Sequence, residues 1–591
     1  MTHLPSKYTL MRLAATAVML VAWLAAMPQL ALNGIQPVRD TRYGWLLMPL
    51  TAEQWGNDYS PEVSLEGTTW IKAFVNDVEV DGTAMDLGVA NSENHPTVAL
   101  VDLNDDTTHL TLHFTTLPVV EVEGNVTNDY SLGTVRLLAP GEQSTGLMTA
   151  RLKHRGGVTN LDGRHKRNYA IKFVYSSSTD TKQDRQLLDM REDNSWILDA
   201  GQVDMSRVRN RIATDLWNDY ASKPYYYNED ERACSGNHGR PVEVMVGGEY
   251  RGIYHLCEAM DRKQLRLKKY DEKKGVIRGS LWKTSAWNKV VLMREITEEP
   301  DNSQPTWCDI EVKYPDFDEV NPTTYKVLRD GIEWIIGSSE EDFENYLENH
   351  FDLPVLIDYF LLCDALNAHD NMGKNIYWAV WDQTMDRKLT LAVWDLDVTC
   401  GQNWSDEKEF YRNDDMSPNF YANSNVFLYH LFRPMYRMAR NKVLKAQIDA
   451  RYAELRQGVF ATDQLVERYS TAINRLIDCG AADRDSLRWS GDTDIGRLTL
   501  DLAAERDYIA QWLYKRMLMM DRWHGVTPAA DVNNDGAVTA ADLATIVLAI
   551  AGLDDSEQGI NTMLADVNYD GAVNASDLSM VANHLAGLPP E

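Results

Sequence analysis

Leu366–Gly401 reads LNAHDNMGKNIYWAVWDQTMDRKLTLAVWDLDVTCG, and the reading of the fold turns on it. Two short polar clusters flank a hairpin. Asp370 and Asn375 stand five apart and are followed by the apolar run Ile376 to Val380. A turn-like DQTMDRK leads into Leu389 to Val393, then Trp394-Asp395-Leu396-Asp397. Side chains alternate along a strand, so an extended Trp394–Asp397 would point Asp395 and Asp397 the same way.

Upstream, Asp352-Leu-Pro354 starts a helix with Pro near its first position. That helix is expected to bury Leu356, Ile357, Phe360 and Leu361 and to deliver the chain into His369-Asp370, with His369 structural rather than a base. Downstream, Asn425–Arg440, Ala461–Cys479 and Thr499–Trp523 read as amphipathic helices, the first broken or kinked at Pro434. Earlier still, Lys166–Val174 reads as a strand with Tyr169, Ile171 and Phe173 on one face. Asp204 reads as an N-cap for a helix bearing Val208, Ile212, Leu216 and Tyr220. Val242–Val246, Gly247-Gly248 and Tyr250–Leu256 read as a hairpin that ends near Glu258.

The 591 residues exceed what one core accommodates, and three or four units are expected. Hydrophobic content of 44% and charged content of 25% are those of a globular protein. A net charge of −30 excludes a general nucleic-acid binder, which would carry a basic footprint. Lys7 and Arg12 precede the apolar run Leu13–Leu24, followed by small residues and Pro28. This is the layout of a secretory signal over residues 1–31, cleaved after Ala26 or Ala31. An uncleaved anchor over Leu13–Leu32 is disfavoured by Pro28 and Gln29. No second run of that length follows, so no membrane span is expected in the mature chain, which is read as secreted or bound at a bacterial surface. The six cysteines form no CxxC pair and no zinc spacing, and Cys257 and Cys363 sit in apolar runs as buried thiols.

The expected architecture is multidomain. Residues 34–140 form a β-rich, sandwich-like accessory domain in which short alternating runs are separated by Asn-Asp and Asp-Gly turns. Residues 146–524 form a mixed α+β body, 525–530 a linker, and 531–588 a repeat with copies at 531–553 and 566–588. Asp531-Val-Asn-Asn-Asp-Gly-Ala-Val-Thr-Ala-Ala-Asp542 recurs thirty-five positions later as Asp566-Val-Asn-Tyr-Asp-Gly-Ala-Val-Asn-Ala-Ser-Asp577. Each copy has calcium-loop logic, with oxygen ligands at positions 1, 3, 5, 9 and 12, a backbone carbonyl at 7, and Gly at 6 for the sharp turn. The candidate ligands are Asp531, Asn533, Asp535, Ala537, Thr539 and Asp542, then Asp566, Asn568, Asp570, Ala572, Asn574 and Asp577. No helix is expected before either loop. Two loop–helix units of this kind resemble a type I dockerin, the calcium-dependent module that binds cohesin domains, so Ca²⁺ and a cohesin-bearing partner are implied. The positions that read the partner, Ala540-Ala541 and Ala575-Ser576, are bland.

An Asp followed five residues on by Asn, with a further Asp after a hairpin, is a spacing used in phosphoryl transfer. The order of motifs across 146–520 resembles the spore coat protein H (CotH) kinase family: Arg155-Gly156 before Lys166-Arg-Asn-Tyr169, Trp196-Ile-Leu198 before Val208-Arg-Asn210, Glu249–Tyr254 with Glu258, Asp370 to Asn375, and Trp394–Asp397. The resemblance implies an atypical protein-kinase-like core that transfers the γ-phosphoryl group of ATP to hydroxyls of a protein substrate. It implies that Asp370 orients or deprotonates the acceptor, and that Asn375 and Asp395 hold Mg²⁺ (or Mn²⁺) with Asp397 beside them. Lys166 would contact the phosphates, and Glu258 would fix that lysine or assist the metal. Lys172 competes with Lys166 for its role, and Glu258 could instead pair with Arg262 or Lys263. No Gly-rich phosphate loop is evident. A non-catalytic surface or adhesion scaffold that keeps the fold is the alternative, and a glycan-active protein is disfavoured because no pair of carboxylates stands out.

Overall fold

The computed structural model describes residues 29–588 other than 67–69, 142–143, 162, 179, 318–324, 386, 404–410, 415, 417–431, 493–499, 557–558 and 569–571. Residues 1–28 of the signal segment expected over 1–31 lie outside the described residues, as does Asp570; residues 29–31 belong to strand Gln29–Leu32, which pairs with Val63–Glu66. Two compact units divide the rest. One takes the chain up to Ala200 with Arg240–Cys257 and Arg475–Leu500; the other takes Gly201–Gly239, Glu258–Asn474 and Asp501 onward.

The first unit is β-rich. Its N-terminal sheet has the order Val38–Asp40, Trp45–Pro49, Thr107–Thr115, Thr97–Asp102, Trp70–Val75, Val78–Glu79. Strand alternation decides its packing. Leu46 and Met48 face a core shared with Leu30, Leu32 and Val63 of a two-stranded sheet, while Trp45 and Leu47 pack against Val119, Leu138, Met245 and Tyr250. Seven strands then close into a barrel: Val119–Gly124, Ser131–Leu138, Met148–Arg155, Asn168–Phe173, Ser195–Asp199, Gly239–Val246 and Glu249–Glu258. The first two of these precede Pro140, so a barrel strand pair spans the division expected between 140 and 146. Tyr169, Ile171 and Phe173 face the barrel core, as their spacing predicted. The Gly247-Gly248 turn has positive φ at both residues, the requirement of a two-residue hairpin.

The second unit holds the stretch quoted first. Its antiparallel sheet runs Thr306–Trp307, Ile310–Tyr314, Ser280–Thr284, Ile376–Val380, Thr390–Val393. The expected hairpin is present, with Ile376 opposite Val393 and Ala379 opposite Thr390. Helix Leu353–Leu366 buries every residue but Pro354, so it is enclosed on all faces rather than on one stripe, with the buried Asp358 and Asp364 paired to Arg451 and Arg516. Helices Thr462–Asp478 and Leu502–Trp523 fall where periodicity placed them. Of the helix expected over Asn425–Arg440, residues 425–431 lie outside the described residues; helix Arg433–Arg440 carries Pro434 in its first turn, where a missing N–H costs nothing. Asp204 is likewise displaced from the N-cap of helix Arg209–Tyr220, which is Val208; its carboxylate still accepts from the Arg209 N–H at 2.7 Å. None of the six cysteines is joined in a disulfide among the described residues, and Cys257 and Cys363 are buried.

His113 lies inside the first unit, 8% exposed, 4.2 Å centroid to centroid from His95 and 5.0 Å from Trp45, and among the described residues neither of its ring nitrogens has a hydrogen-bond partner. Burial, then the neighbouring His95 and Arg484 charges, push its pKa down to about 3. The unfolded chain therefore binds the extra proton first. Stability from this group is complete above pH ~6.5 and falls by up to about 1.4 kcal/mol per pH unit between there and pH ~3. Urea unfolding at pH 7 and pH 5 is expected to show a larger acid loss for the wild type than for His113→Phe.

Candidate active site

Helix Leu353–Leu366 ends on Asn367 in the left-handed conformation, a standard helix terminator, and the chain turns through His369–Asn371 into the strand at Ile376. Gly373 is required in that turn. Its φ is +91°, and a Cβ would meet Leu292, Phe432 and the Val291 carbonyl at 3.2–3.3 Å. The turn folds Lys374 and Asn375 back over Asp370. Lys374 Nζ donates to both Asp370 carboxylate oxygens at 2.8 Å, and Asn375 Nδ2 donates to Oδ2 at 2.8 Å. Asp370 is 5% exposed. Burial raises its pKa, Lys374 pulls it back, and the charge of Asp395 raises it again.

The second acidic segment is tied to the first. Asn371 Nδ2 donates to the Trp394 carbonyl at 2.8 Å, and Tyr359 Oη donates to the Asn371 carbonyl at 2.6 Å. The strand ends at Val393, and Asp395 has φ +61°, so the alternation expected to align Asp395 with Asp397 does not apply. Asn375 is left-handed as well, at φ +57°. Left-handed residues within a few positions of a buried carboxylate are the strain that functional loops hold in place. Both Asp395 and Asp397 are half-buried. His369 is pushed down to a pKa of about 3 by burial, then by Arg516, so it is neutral at ordinary pH and only weakly basic.

A buried arginine, named in the Val208-Arg-Asn210 motif but given no role there, fixes the far end of this segment. Arg209 donates to the carbonyls of Thr399 and Cys400 at 2.9 and 3.2 Å and pairs with Asp204 at 3.0 Å and Glu505 at 2.6 Å. Asn210 Oδ1 accepts from the Leu396 N–H at 2.9 Å. Gly401, at φ +77°, follows; a Cβ there would collide with Tyr508 and Trp512. Arg209→Met leaves the buried Asp204 carboxylate without its cation, while Glu505 keeps Arg412, and a loss of about 3 kcal/mol is expected in chemical denaturation.

The other expected residues sit as follows. Lys166, in the first unit, is fully enclosed. Its Nζ donates to the carbonyls of Ala200 at 2.8 Å and Ile253 at 2.6 Å, lies 3.6 Å from Asp485, and sits 4.2 Å from the Tyr254 ring centroid. Asp485 of helix Ala481–Trp489 is an acid partner that nothing in the local sequence announced. Lys172 is exposed. Glu258, counted with the second unit, is buried and accepts from the His238 N–H and Nδ1, each at 3.0 Å.

Among the described residues no three His, Cys, Asp or Glu side chains gather closely enough to hold a cation alone. Asp370 and Asp395 nonetheless feel each other's charge inside a loop that also presents the Asn375 amide. Two carboxylates with an amide are the kind of donor set that magnesium takes when phosphate oxygens complete its shell, and a cation would relieve the like-charge pair.

In the tail, Asp542 Oδ1 accepts from the Val532 and Asn533 N–H groups at 2.7 and 3.1 Å, and its Oδ2 from Thr539 N–H at 2.7 Å. Asp577 repeats the pattern with Val567, Asn568 and Asn574. Thr539 and Asn574 cap helices Ala540–Ile550 and Ala575–Leu585 in matching capping boxes. A short helix, Ile560–Ala565, precedes the second loop, against the expectation of none; Leu564 and Ala565 are buried there, and Arg522 donates to the Leu564 carbonyl.

Comparison with protein-family models matches the CotH kinase protein model to residues 152–520 and the dockerin type I domain to residues 529–586. The chain belongs to the CotH kinase protein family and carries a C-terminal type I dockerin. No individually curated protein matches it. Dockerin type I domains bind calcium and imply a cohesin partner, and they typically occur on extracellular cellulosome components. No helix among the described residues is long and apolar enough to cross a membrane. Calcium is expected to order residues 531–588, and chelation to lower their helical circular dichroism, with Asp542→Ala blunting the first loop's response.

Proposed function

We propose that the chain is an exported atypical protein kinase that transfers the γ-phosphoryl group of ATP to serine or threonine hydroxyls of a protein, and that its dockerin anchors it to a cohesin-bearing partner. The observation that carries this reading is the buried Asp370 carboxylate gripped by Asn375, in a loop pinned to Trp394-Asp395 through Asn371. Asp370 accepts the acceptor hydroxyl. Asn375 and Asp395 would hold a magnesium or manganese ion, with Asp397 next to them. Such an ion would supply positive charge to offset the negative charge that spreads over the nucleotide phosphates.

Glu258 orients the His238 segment beside strand Thr390–Val393, since the Val393 N–H donates to Ser235. The dockerin's exposed apolar residues Val547, Leu548, Ile550 and Met580 fit an apolar cohesin face. Family membership and the dockerin support the reading as a whole. The complete enclosure of Lys166 favours a second reading, a non-catalytic scaffold.

Two measurements separate them. Magnesium-ATP at a hundredfold excess over Kd is expected to stabilise the protein by about 2.7 kcal/mol in thermal melts, whereas a scaffold is indifferent. Radiolabelled ATP is expected to label a protein acceptor, and Asp370→Asn to lower the rate by about 10²–10⁴-fold. Equal labelling by the two proteins would falsify the role of Asp370.

A further inference from the structure

Arg262–Arg278 is a basic stretch in an acidic chain, with eight lysines and arginines against two acids where the whole protein carries −30. It crosses one face of the sheet that leads into the site. Its Leu265 and Leu267 are buried in a core shared with Tyr377, Ala379, Trp381 and Ala392, which strand alternation puts on that face. The stretch is fastened at Lys268, whose N–H donates to the Trp381 carbonyl and whose carbonyl accepts from the Gly279 N–H, each at 3.1 Å. Its cations rest on rings: Lys268 Nζ lies 4.5 Å from the Trp381 centroid, and the Arg262 guanidinium 5.7 Å from that of Tyr314. On the same face Lys283 Nζ lies 5.9 Å from the centroid of Trp394, the residue before Asp395, and Trp394 packs edge-on against Tyr377. Lys269, Lys273 and Lys274 are exposed. Acids do approach: Asp271 pairs with Lys274, Asp382 with Arg278, and Asp230 feels the charge of Arg266. With Asp261 and Glu272 these number five against eight cations, and a positive excess stands.

We propose that this basic strap is a docking surface for the acceptor protein, and that it selects acceptors carrying a run of Glu or Asp beside the hydroxyl to be phosphorylated. The proposal rests on the kinase reading, which puts that hydroxyl at Asp370. Sheet geometry sets the spacing. Tyr377, against Trp394, and Trp381, under Lys268, are four residues apart along one extended run, about 13 Å at roughly 3.3 Å per residue. An extended acceptor that follows this face reaches Lys268 about four residues beyond the Trp394 end, and its carboxylates meet Lys268, Lys269 and Lys273 from there outward. Cations already laid across ring faces have less rotamer freedom to lose on binding. Nucleic acid fits poorly, because its charge continues along its whole length and would meet the acidic remainder of the chain, whereas a short acidic run is matched by a local patch. Exposed charge contacts of this kind act on encounter and on KM rather than on kcat.

The test measures binding of three fluorescent peptides to the full-length protein by anisotropy, each with one serine and with Glu, Gln or Lys in its flanks from about four residues outward. The Glu peptide is expected to bind on the order of tenfold tighter than the Gln peptide, the combined effect of a few exposed ion pairs, and to lose that margin in about 0.5 M salt. Replacing three exposed cations of the strap together, Lys269→Gln, Lys273→Gln and Lys274→Gln, is expected to erase the margin. Removing as much exposed charge elsewhere, by Lys326→Gln, Arg440→Gln and Lys442→Gln, is expected to keep it. With magnesium-ATP the same margin is expected in KM for the peptide, with kcat changed less than about threefold. Equal binding of the Glu and Gln peptides, or a margin that survives in the strap variant, overturns the docking surface and leaves the kinase reading standing. A margin in binding with none in KM overturns its part in acceptor choice. A margin in binding by a wild type that labels no acceptor overturns the kinase reading and keeps the strap as an acidic-peptide site. A single-stranded oligonucleotide that binds tighter than the Glu peptide overturns the choice of a protein acid.

Discussion

One buried guanidinium holds the second unit's functional loop in shape. Arg209 sits where no water reaches, between the carboxylates of Asp204 and Glu505, and spends its remaining donors on the carbonyls of Thr399 and Cys400. A charge there is tolerable only because it is paired and its donors are satisfied. Three separated parts of the sequence meet on it: the turn before helix Arg209–Tyr220, the segment that follows Asp395, and helix Leu502–Trp523. With the far end of the acidic segment fixed by Arg209 and its near end by Asn371, Trp394–Asp397 can leave the sheet and still have a defined path.

That path places like charges together. Asp370 is raised chiefly by burial and further by Asp395, and the loop answers with Lys374 and the Asn375 amide. Carboxylates held this way are costly in a resting protein and useful when a cation and a polyanion are to be received. The same economy operates in the tail, where Asp542 and Asp577 are fully buried and served by backbone N–H groups. Arg522, bonded to the Leu564 carbonyl, packs the tail's short helix against the end of helix Leu502–Trp523.

What could be read from the sequence followed the range of the signal. The hairpin Ile376–Val380 with Thr390–Val393, the long helices and the duplicated loops were all legible, because periodicity and turn chemistry are local. The pairing of Lys166 with Asp485 was not, since the two stand over three hundred positions apart and Asp485 lies in a helix with no motif. Arg209, quoted in its motif, was given no role for the same reason. The strand alternation expected for Asp395 and Asp397 failed because one left-handed residue ends the extended run. The helix Ile560–Ala565 escaped notice because six residues are too few to show a period. Lys374 stood in plain view between Gly373 and Asn375, but only geometry shows that the turn brings its ammonium back onto Asp370.

The central claim is that Asp370, Asn375 and Asp395 form one metal–nucleotide site. The most direct measurement is a crystal structure of the full-length protein with manganese and a non-hydrolysable ATP analogue, using the anomalous signal of manganese to locate the ion. The account predicts an anomalous peak in contact with Asn375 and Asp395, with the β- and γ-phosphates bound to it and the terminal phosphate facing Asp370. A nucleotide bound elsewhere, or a loop that stays unchanged with no manganese peak at saturating concentrations, would contradict it.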